Sequence, residues 1–332
     1  MNISTTIFAN NTFVHKSAKS PALKFDGFDG YVFEEMGVTD QFLENASTYF
    51  DKYTNPNHFK SLYQLALDVV QPEGNDITIL DIGTGGGNSI FALFELIGES
   101  RIKALGVDIS LQLLELCSKF ADDTYKIAPG KLELLCADLY DLTVKPETVD
   151  LVAGSSILHH MIDPEPIVRM ALAALKPGGS AIFTEPFEDG HGLLMGAYRT
   201  ALKLEPDMPE PIPDSLRSFM VETLMDFDAR KGIGQIRDYT RHLDDKWYFT
   251  HSWFDTIARQ MNCELQILSS HGGNDTIFQD TFRVLANLNN GADVADAPGW
   301  VHSIVAAIDE NFSQAQKQNF HFTGIIILTK RP

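Results

Sequence analysis

The residues best suited to chemistry fall within about a hundred positions of one another. Asp81-Ile-Gly83-Thr-Gly85-Gly-Gly87 joins an apolar run to a segment with helical apolar spacing. An acid at a strand end, followed by alternate glycines, suits a chain that turns sharply and lies close against a ligand. Backbone N–H groups at the start of the next helix would face that ligand. Gly106-Val-Asp108-Ile109-Ser110 follows about twenty residues beyond, and a carboxylate there can accept hydrogen bonds from both hydroxyls of a ribose. Asp138-Leu139 comes just past a third apolar run, and Ser155 ends a fourth. His159 and His160 follow Ser155 closely, and Glu185 ends a fifth run. Histidine suits a proton acceptor, because its unperturbed pKa lies near neutrality.

These residues need a scaffold that brings strand ends together. Apolar runs predict strands at about 77–82, 103–108, 131–136, 149–154 and 180–185, with helices at about 88–97, 111–121 and 164–175. Strands separated by helices of this length imply a parallel sheet with right-handed crossovers. Ahead of them, residues 1 to about 24 read as a poorly ordered lead-in, and 38–53 and 57–70 as helices around Pro56. Lys176-Pro-Gly-Gly reads as a turn feeding the fifth strand. Residues 187–250 break the alternation, with helical stretches at 192–204 and 216–227, and so long an excursion reads as a lid. A helix (252–261), a strand (264–268), helices at 276–288 and 300–317 and a strand (324–329) complete the chain. The fold class is α/β: a Rossmann-like, doubly wound, mostly parallel seven-stranded sheet with an N-terminal helical cap and an inserted helical lid. The divisions are a cap (1–72), a core (73–186), a lid (187–250) and a C-terminal part of the core with added helices (251–332).

The 332 residues carry a formal net charge of −19, which argues against nucleic acid and against docking on anionic membranes. The N-terminal segment lacks the apolar core of a signal peptide, and no run approaches a membrane span. Cys117, Cys136 and Cys263 sit in apolar segments with no metal-binding spacing, so buried free thiols, a cytoplasmic setting and no metal are expected.

The order of elements and motifs from about 77 to 185 resembles the class I S-adenosylmethionine-dependent methyltransferases, over roughly a third of the chain. The resemblance implies S-adenosylmethionine as cofactor. Asp81, Gly83, Gly85 and Gly87 would form the loop under its methionine part, and Asp108 with Ile109 would hold the ribose. Asp138 and Leu139 would take the adenine, and Ser155 would lie alongside the cofactor. Gly83-x-Gly85-x-Gly87 also departs from the Gly-x-Gly-x-x-Gly of nicotinamide enzymes. His160 or His159 would border the space between cofactor and acceptor as a base, with Glu185, Tyr31, Tyr53, Tyr198 and Arg199 lining the acceptor side. The expected partner is a small-molecule methyl acceptor, methylated on oxygen, nitrogen or carbon. The helical cap and late helices offer surfaces for a homodimer. Two other readings stay open: a cofactor-binding relative with a different reaction, such as cyclisation or aminopropyl transfer, and a non-catalytic binding protein of the same fold.

Overall fold

The computed structural model describes residues 3–9, 23–25, 37–272, 274–288 and 292–332. The strands are β1 (Leu23–Phe25), β2 (Ile77–Ile82), β3 (Ile102–Asp108), β4 (Leu132–Cys136), β5 (Val149–Ser155), β6 (Leu175–Pro186), β7 (Cys263–Ser269) and β8 (Thr323–Lys330). They form one sheet in the order β1-β4-β3-β2-β5-β6-β8-β7. Pairings are parallel from β1 to β6, and β8 runs antiparallel between β6 and β7. Seven strands match the expected sheet, and the three-residue β1 extends its edge.

The helices are α1 (Ile3–Ile7), α2 (Ala46–Tyr53), α3 (Pro56–Val70), α4 (Asn88–Ile97), α5 (Leu111–Phe120), α6 (Glu165–Ala174), α7 (Glu188–Leu204), α8 (Asp214–Arg230), α9 (His251–Gln260), α10 (Ile277–Leu288), α11 (Gly299–Asn311) and α12 (Gln314–Lys317). β2 is buried at every position, as expected for a central strand covered on both faces. Two apolar clusters sandwich the sheet. One holds Leu80, Ile82, Val107 and Phe183, and the other Ile79, Phe91, Leu134 and Ile182.

Topology decides where a ligand can sit. From β2 the chain winds through β3 and β4 to one side, then returns to place β5 on the other side of β2. The strand order therefore reverses between β2 and β5, and the crevice beyond their C-terminal ends is where open α/β sheets bind ligands. Asp108 and Ser155 end strands at this crevice, and Asp81 sits one residue before the end of β2.

Several local expectations are revised. Far from being a loose lead-in, residues 3–9 pack on the core: Ile3, Ile7 and Phe8 join the first cluster. The buried Glu133 on β4 accepts hydrogen bonds from the Ile3 N–H at 2.6 Å and the Ser4 hydroxyl at 2.5 Å. Residues 38–45 form turns closed on the Asp40 carbonyl, so helix begins only at Ala46. Helix 300–317 breaks at Phe312, where Ser313 and Gln316 form a capping box that starts α12. Lys176–Gly179 turns within β6, where the register against β5 jumps between Leu175 and Ser180.

The 187–250 excursion does not hang over the sheet as a free flap. Leu194, Tyr198 and Met220 of α7 and α8 bury against Phe278, Phe282 and Val301 of α10 and α11 in a third cluster. Among the described residues, no helix is long and apolar enough to cross a membrane.

Candidate active site

A cleft of about 310 Å³ opens at the C-terminal ends of β2, β3, β4 and β5. One wall is polar and built from turns: Gly83 to Gly86, Asp108, Ile109, Asp138, Leu139 and Ser155. The other is largely apolar, with Val38, Phe42, Tyr49, Met161 and Ile162 around the imidazole of His160.

The glycine turn has a definite geometry. Gly83, Gly85 and Gly87 all have positive φ, a region that L side chains rarely adopt. A Cβ at Gly83 would come within 2.3 Å of the Ile157 side chain, and one at Gly87 within 2.2 Å of the Phe91 ring. Gly85 is different: a Cβ there would meet open space, so the loop backbone itself borders the cleft. Asp108 ties the turn to β3. Its carboxylate accepts from the Gly85 N–H and the Ser110 N–H, both at 2.8 Å.

Asp81 lies behind this loop, fully buried, and does not reach the cleft wall. Its Oδ2 accepts from the Thr84 hydroxyl at 2.6 Å, while Oδ1 has no partner. Burial pushes its pKa up to about 7 despite the Thr84 hydrogen bond. An orphaned carboxylate oxygen of this kind is suited to a cationic group at the loop. Ser155 is held by the buried Tyr63 at 3.0 Å between hydroxyl oxygens. Asp138 accepts from the Tyr140 N–H at 3.0 Å through Oδ1, which fixes the turn carrying Leu139.

The two histidines, adjacent in sequence, differ in state. Glu185, fully buried at the end of β6, accepts from the backbone N–H groups of Ile157, Leu158 and His159 at 3.0, 2.8 and 3.3 Å. It also accepts from His159 Nδ1 at 2.6 Å, and His159 Nε2 faces the Asp245 carboxylate at 3.5 Å. Burial works against charge at His159, but the two carboxylates outweigh it and raise its pKa to about 9. His159 is therefore a cation enclosed between anions, with no free lone pair. His160 is lowered to about 3 by burial and by the neighbouring His159 charge. Its Nδ1 donates to the Asp244 carbonyl at 2.9 Å, which leaves Nε2 as the unprotonated nitrogen. Only His160 borders the cleft.

The pKa of His159 carries a stability prediction. A group raised from 6.5 to about 9 on folding contributes stability that is present below pH 6.5 and lost as pH rises through 9. Between pH 7 and 9.5 the loss should be about 2 kcal/mol. Urea titrations across that range should show the stability of the wild type relative to His159→Gln falling by this amount; the difference removes the opposing contribution of Lys246, whose pKa burial lowers to about 8. A fall of equal size in the variant would assign the effect to other groups.

The acceptor-side residues predicted from the sequence are mostly dispersed. Tyr198 belongs to the third apolar cluster, its ring 5.4 Å from Phe282 and 5.8 Å from Phe219. Arg199 pairs with Asp228 at 2.7 Å on the surface of the same helices. Neither lines the cleft, because the apolar faces of α7 and α8 turn toward α10 and α11. Tyr53 is 44% exposed and packs on Tyr49 one turn earlier, so Tyr49 takes the cleft position. Glu185 sits one layer behind the wall and acts on the histidine segment instead of on the cleft. Tyr31 lies outside the described residues.

Sequence reasoning did not single out Asp245 or Lys246, and Trp247, which it placed on the acceptor side, lies behind the cleft. The Lys246 N–H donates to the His159 carbonyl at 2.7 Å, and Trp247 Nε1 to the Met161 carbonyl at 2.8 Å. Asp245 is in turn paired with the buried Arg230 at 3.3 Å. The end of the excursion thus buttresses the histidine segment from behind. No local spacing announces such a contact across about 85 residues.

Residues 80–183 match the family model of a methyltransferase domain. A ubiquinone biosynthesis O-methyltransferase of Idiomarina loihiensis is 31% identical over 159 residues, 46% of this chain and 62% of that protein. One of Actinobacillus pleuropneumoniae is 26% identical over 149 residues, 44% of this chain and 62% of that protein. For one of Coxiella burnetii the figures are 27% over 106 residues, 32% and 42%. The chain thus spans between 42% and 62% of the length of these relatives. In fold, it superposes on a chain of a complex that contains the Haloferax volcanii Trm112 methyltransferase activator, with a TM-score of 0.52 at 16% identity. That match covers 89% of this chain and 100% of the other. The glycine turn, the strand-end acids and these matches agree: residues 80–183 of this chain form a methyltransferase domain.

Proposed function

We propose that this protein methylates a hydroxyl group of an apolar small molecule, with S-adenosylmethionine as methyl donor. The observation that carries the reading is the juxtaposition in one cleft of the polar turns and a neutral histidine set in an apolar wall. The relatives named as O-methyltransferases agree with oxygen as the acceptor atom.

The polar wall fits the cofactor. The open face of Gly85 would take its methionine part, with the orphaned Asp81 Oδ1 buried behind that loop; Asp108 would take its ribose, and Asp138 and Leu139 its adenine. When bound, the cofactor supplies a methyl group already activated on a sulfonium. What remains for the protein is to align an acceptor, exclude water and remove a proton. Such alignment can lower a barrier by about 7–11 kcal/mol in favourable cases. Val38, Phe42, Tyr49, Met161 and Ile162 would hold an apolar acceptor and keep water out. His160 Nε2 would take the hydroxyl proton. Its Nδ1 stays bonded to the Asp244 carbonyl and lies 3.4 Å from Asp245, whose charge would favour the imidazolium as it forms. His159 would act as a positioning residue, fixed by Glu185 and Asp245.

Calorimetry with S-adenosylmethionine, S-adenosylhomocysteine and NADH tests the cofactor half, with binding expected for the first two only. Asp108→Ala should weaken both by about 10- to 100-fold, since it removes charge-assisted hydrogen bonds and the anchor of Gly85. Unchanged affinity would remove Asp108 from the cofactor site. The acceptor half is tested with a panel of apolar phenols and alcohols. S-adenosylhomocysteine should accumulate in step with an O-methylated product. Turnover of amines alone would overturn the hydroxyl assignment.

A further inference from the structure

A second cluster of chemistry-bearing residues lies outside the cleft, where the 187–250 excursion meets the sheet. Asp189 opens the excursion in the first turn of α7, His251 closes it at the first position of α9, and His321 precedes β8. Their donor atoms converge. His251 Nε2 is 3.1 Å from His321 Nδ1, and Asp189 Oδ2 is 3.6 Å from the first and 3.7 Å from the second. None of the three borders the cleft.

A hydrogen bond accounts for the His251–His321 side of this triangle but not for the two sides to Asp189. Two imidazole nitrogens 3.1 Å apart must share either a proton or a cation. A carboxylate bonded to an imidazolium would close to about 2.7–2.9 Å, yet Asp189 stands well beyond that from both rings. The three separations are instead those of ligands around one ion. A circle through atoms 3.1, 3.6 and 3.7 Å apart has a radius of about 2.0 Å, which matches zinc–nitrogen and zinc–carboxylate bond lengths. Two histidines and one carboxylate also form a donor set of the borderline kind that zinc prefers.

The surroundings fix the geometry. The Phe187 ring lies against both imidazoles, with centroids 5.2 and 5.4 Å away. The His321 N–H donates to Asp189 Oδ2 at 3.2 Å, and the Gly190 N–H donates to the His321 carbonyl at 3.2 Å. A Cβ at Gly190 would fall 2.5 Å from that carbonyl oxygen, so the two segments are pressed together. His321 is buried, while the His251 side chain is 46% exposed, which leaves a path for an ion from solvent.

We propose that Asp189, His251 and His321 bind one divalent transition-metal ion of the zinc class, which fastens both ends of the excursion to the approach of β8. The role is structural: the ion would hold in place the segment whose far end supports His159 and His160. Solvent would complete the coordination on the His251 side. Ligation through His321 Nδ1 leaves the proton on Nε2, which has no acceptor in the interior. Micromolar affinity is therefore expected, because an absent outer-shell partner typically costs 10–100-fold.

The test uses the full chain after chelator treatment and dialysis, titrated with zinc chloride alone. One equivalent should bind, and saturating zinc should raise the melting temperature. His251→Ala changes an exposed position and should leave the fold intact while weakening zinc binding by about tenfold or more. Asp189→Asn should do the same, and both variants should lose the thermal shift. His160→Ala should still bind one equivalent, which separates this site from the histidines of the cleft. No binding at about 100 µM zinc would overturn the proposal, as would undiminished binding in both His251→Ala and Asp189→Asn. Neither result depends on the methyl-transfer reading.

Discussion

His160→Ala is expected to lower kcat by about 10²- to 10⁴-fold while leaving cofactor affinity within about twofold, the range for loss of a positioned general base. The expectation rests on three features of the imidazole. It borders the cleft, Nδ1 is committed to the Asp244 carbonyl, and Nε2 stays unprotonated because the His159 cation and burial hold the pKa near 3. The acid limb of a kcat/KM profile should consequently lie well below the 6.5 of a free imidazole. Kinetics with any acceptor that supports turnover, read alongside calorimetry, makes the check. A fall in kcat under about fivefold would remove His160 as the base, and an equal loss of cofactor affinity would make it structural.

Glu185→Ala should destabilise the protein by about 3–5 kcal/mol, the cost of leaving a buried charge without its partner. Four donors converge on this carboxylate: three consecutive backbone N–H groups and His159 Nδ1. Alanine would strand the His159 cation against Asp245 alone and free the turn that carries His160. Glu185→Gln keeps one acceptor oxygen and the side-chain volume, so it should cost less stability while lowering the His159 pKa. Urea unfolding of the two variants, with NMR titration of the His159 ring, reads both effects. A loss below about 1 kcal/mol in Glu185→Ala would mean that the turn holds itself without the carboxylate.

Much of the core is legible in the chain. Apolar runs and helical spacing locate β2 to within a residue, because a strand covered on both faces has to be apolar throughout and its flanking turns have to break the pattern. Gly83, Gly85 and Gly87 are equally readable, since their backbone angles favour glycine and close neighbours also crowd Gly83 and Gly87. Strand-end acids such as Asp108 stand out because a charge closing an apolar run needs a reason.

The acceptor side is less legible. Tyr198 and Arg199 sit on a helix with apolar spacing, and spacing does not say which partner that face will find. It finds α10 and α11, so the residues enter another core. Residues 3–9 look like part of a loose leader until Glu133, over 120 positions away, supplies acceptors for the N–H groups of Ile3 and Ser4. His159 and His160 are indistinguishable as letters. The carboxylates brought beside one of them from β6 and from the end of the excursion make it a cation, and its charge keeps the other neutral.

The sequence by itself determined the sheet, the glycine turn and the strand-end acids, because these are imposed by local backbone geometry and by burial at a period readable along the chain. Tertiary structure alone decided which histidine is free, which tyrosine faces the cleft and what the excursion leans on. Those outcomes depend on electrostatic and packing contacts between segments far apart in the chain, and no local pattern encodes the partner.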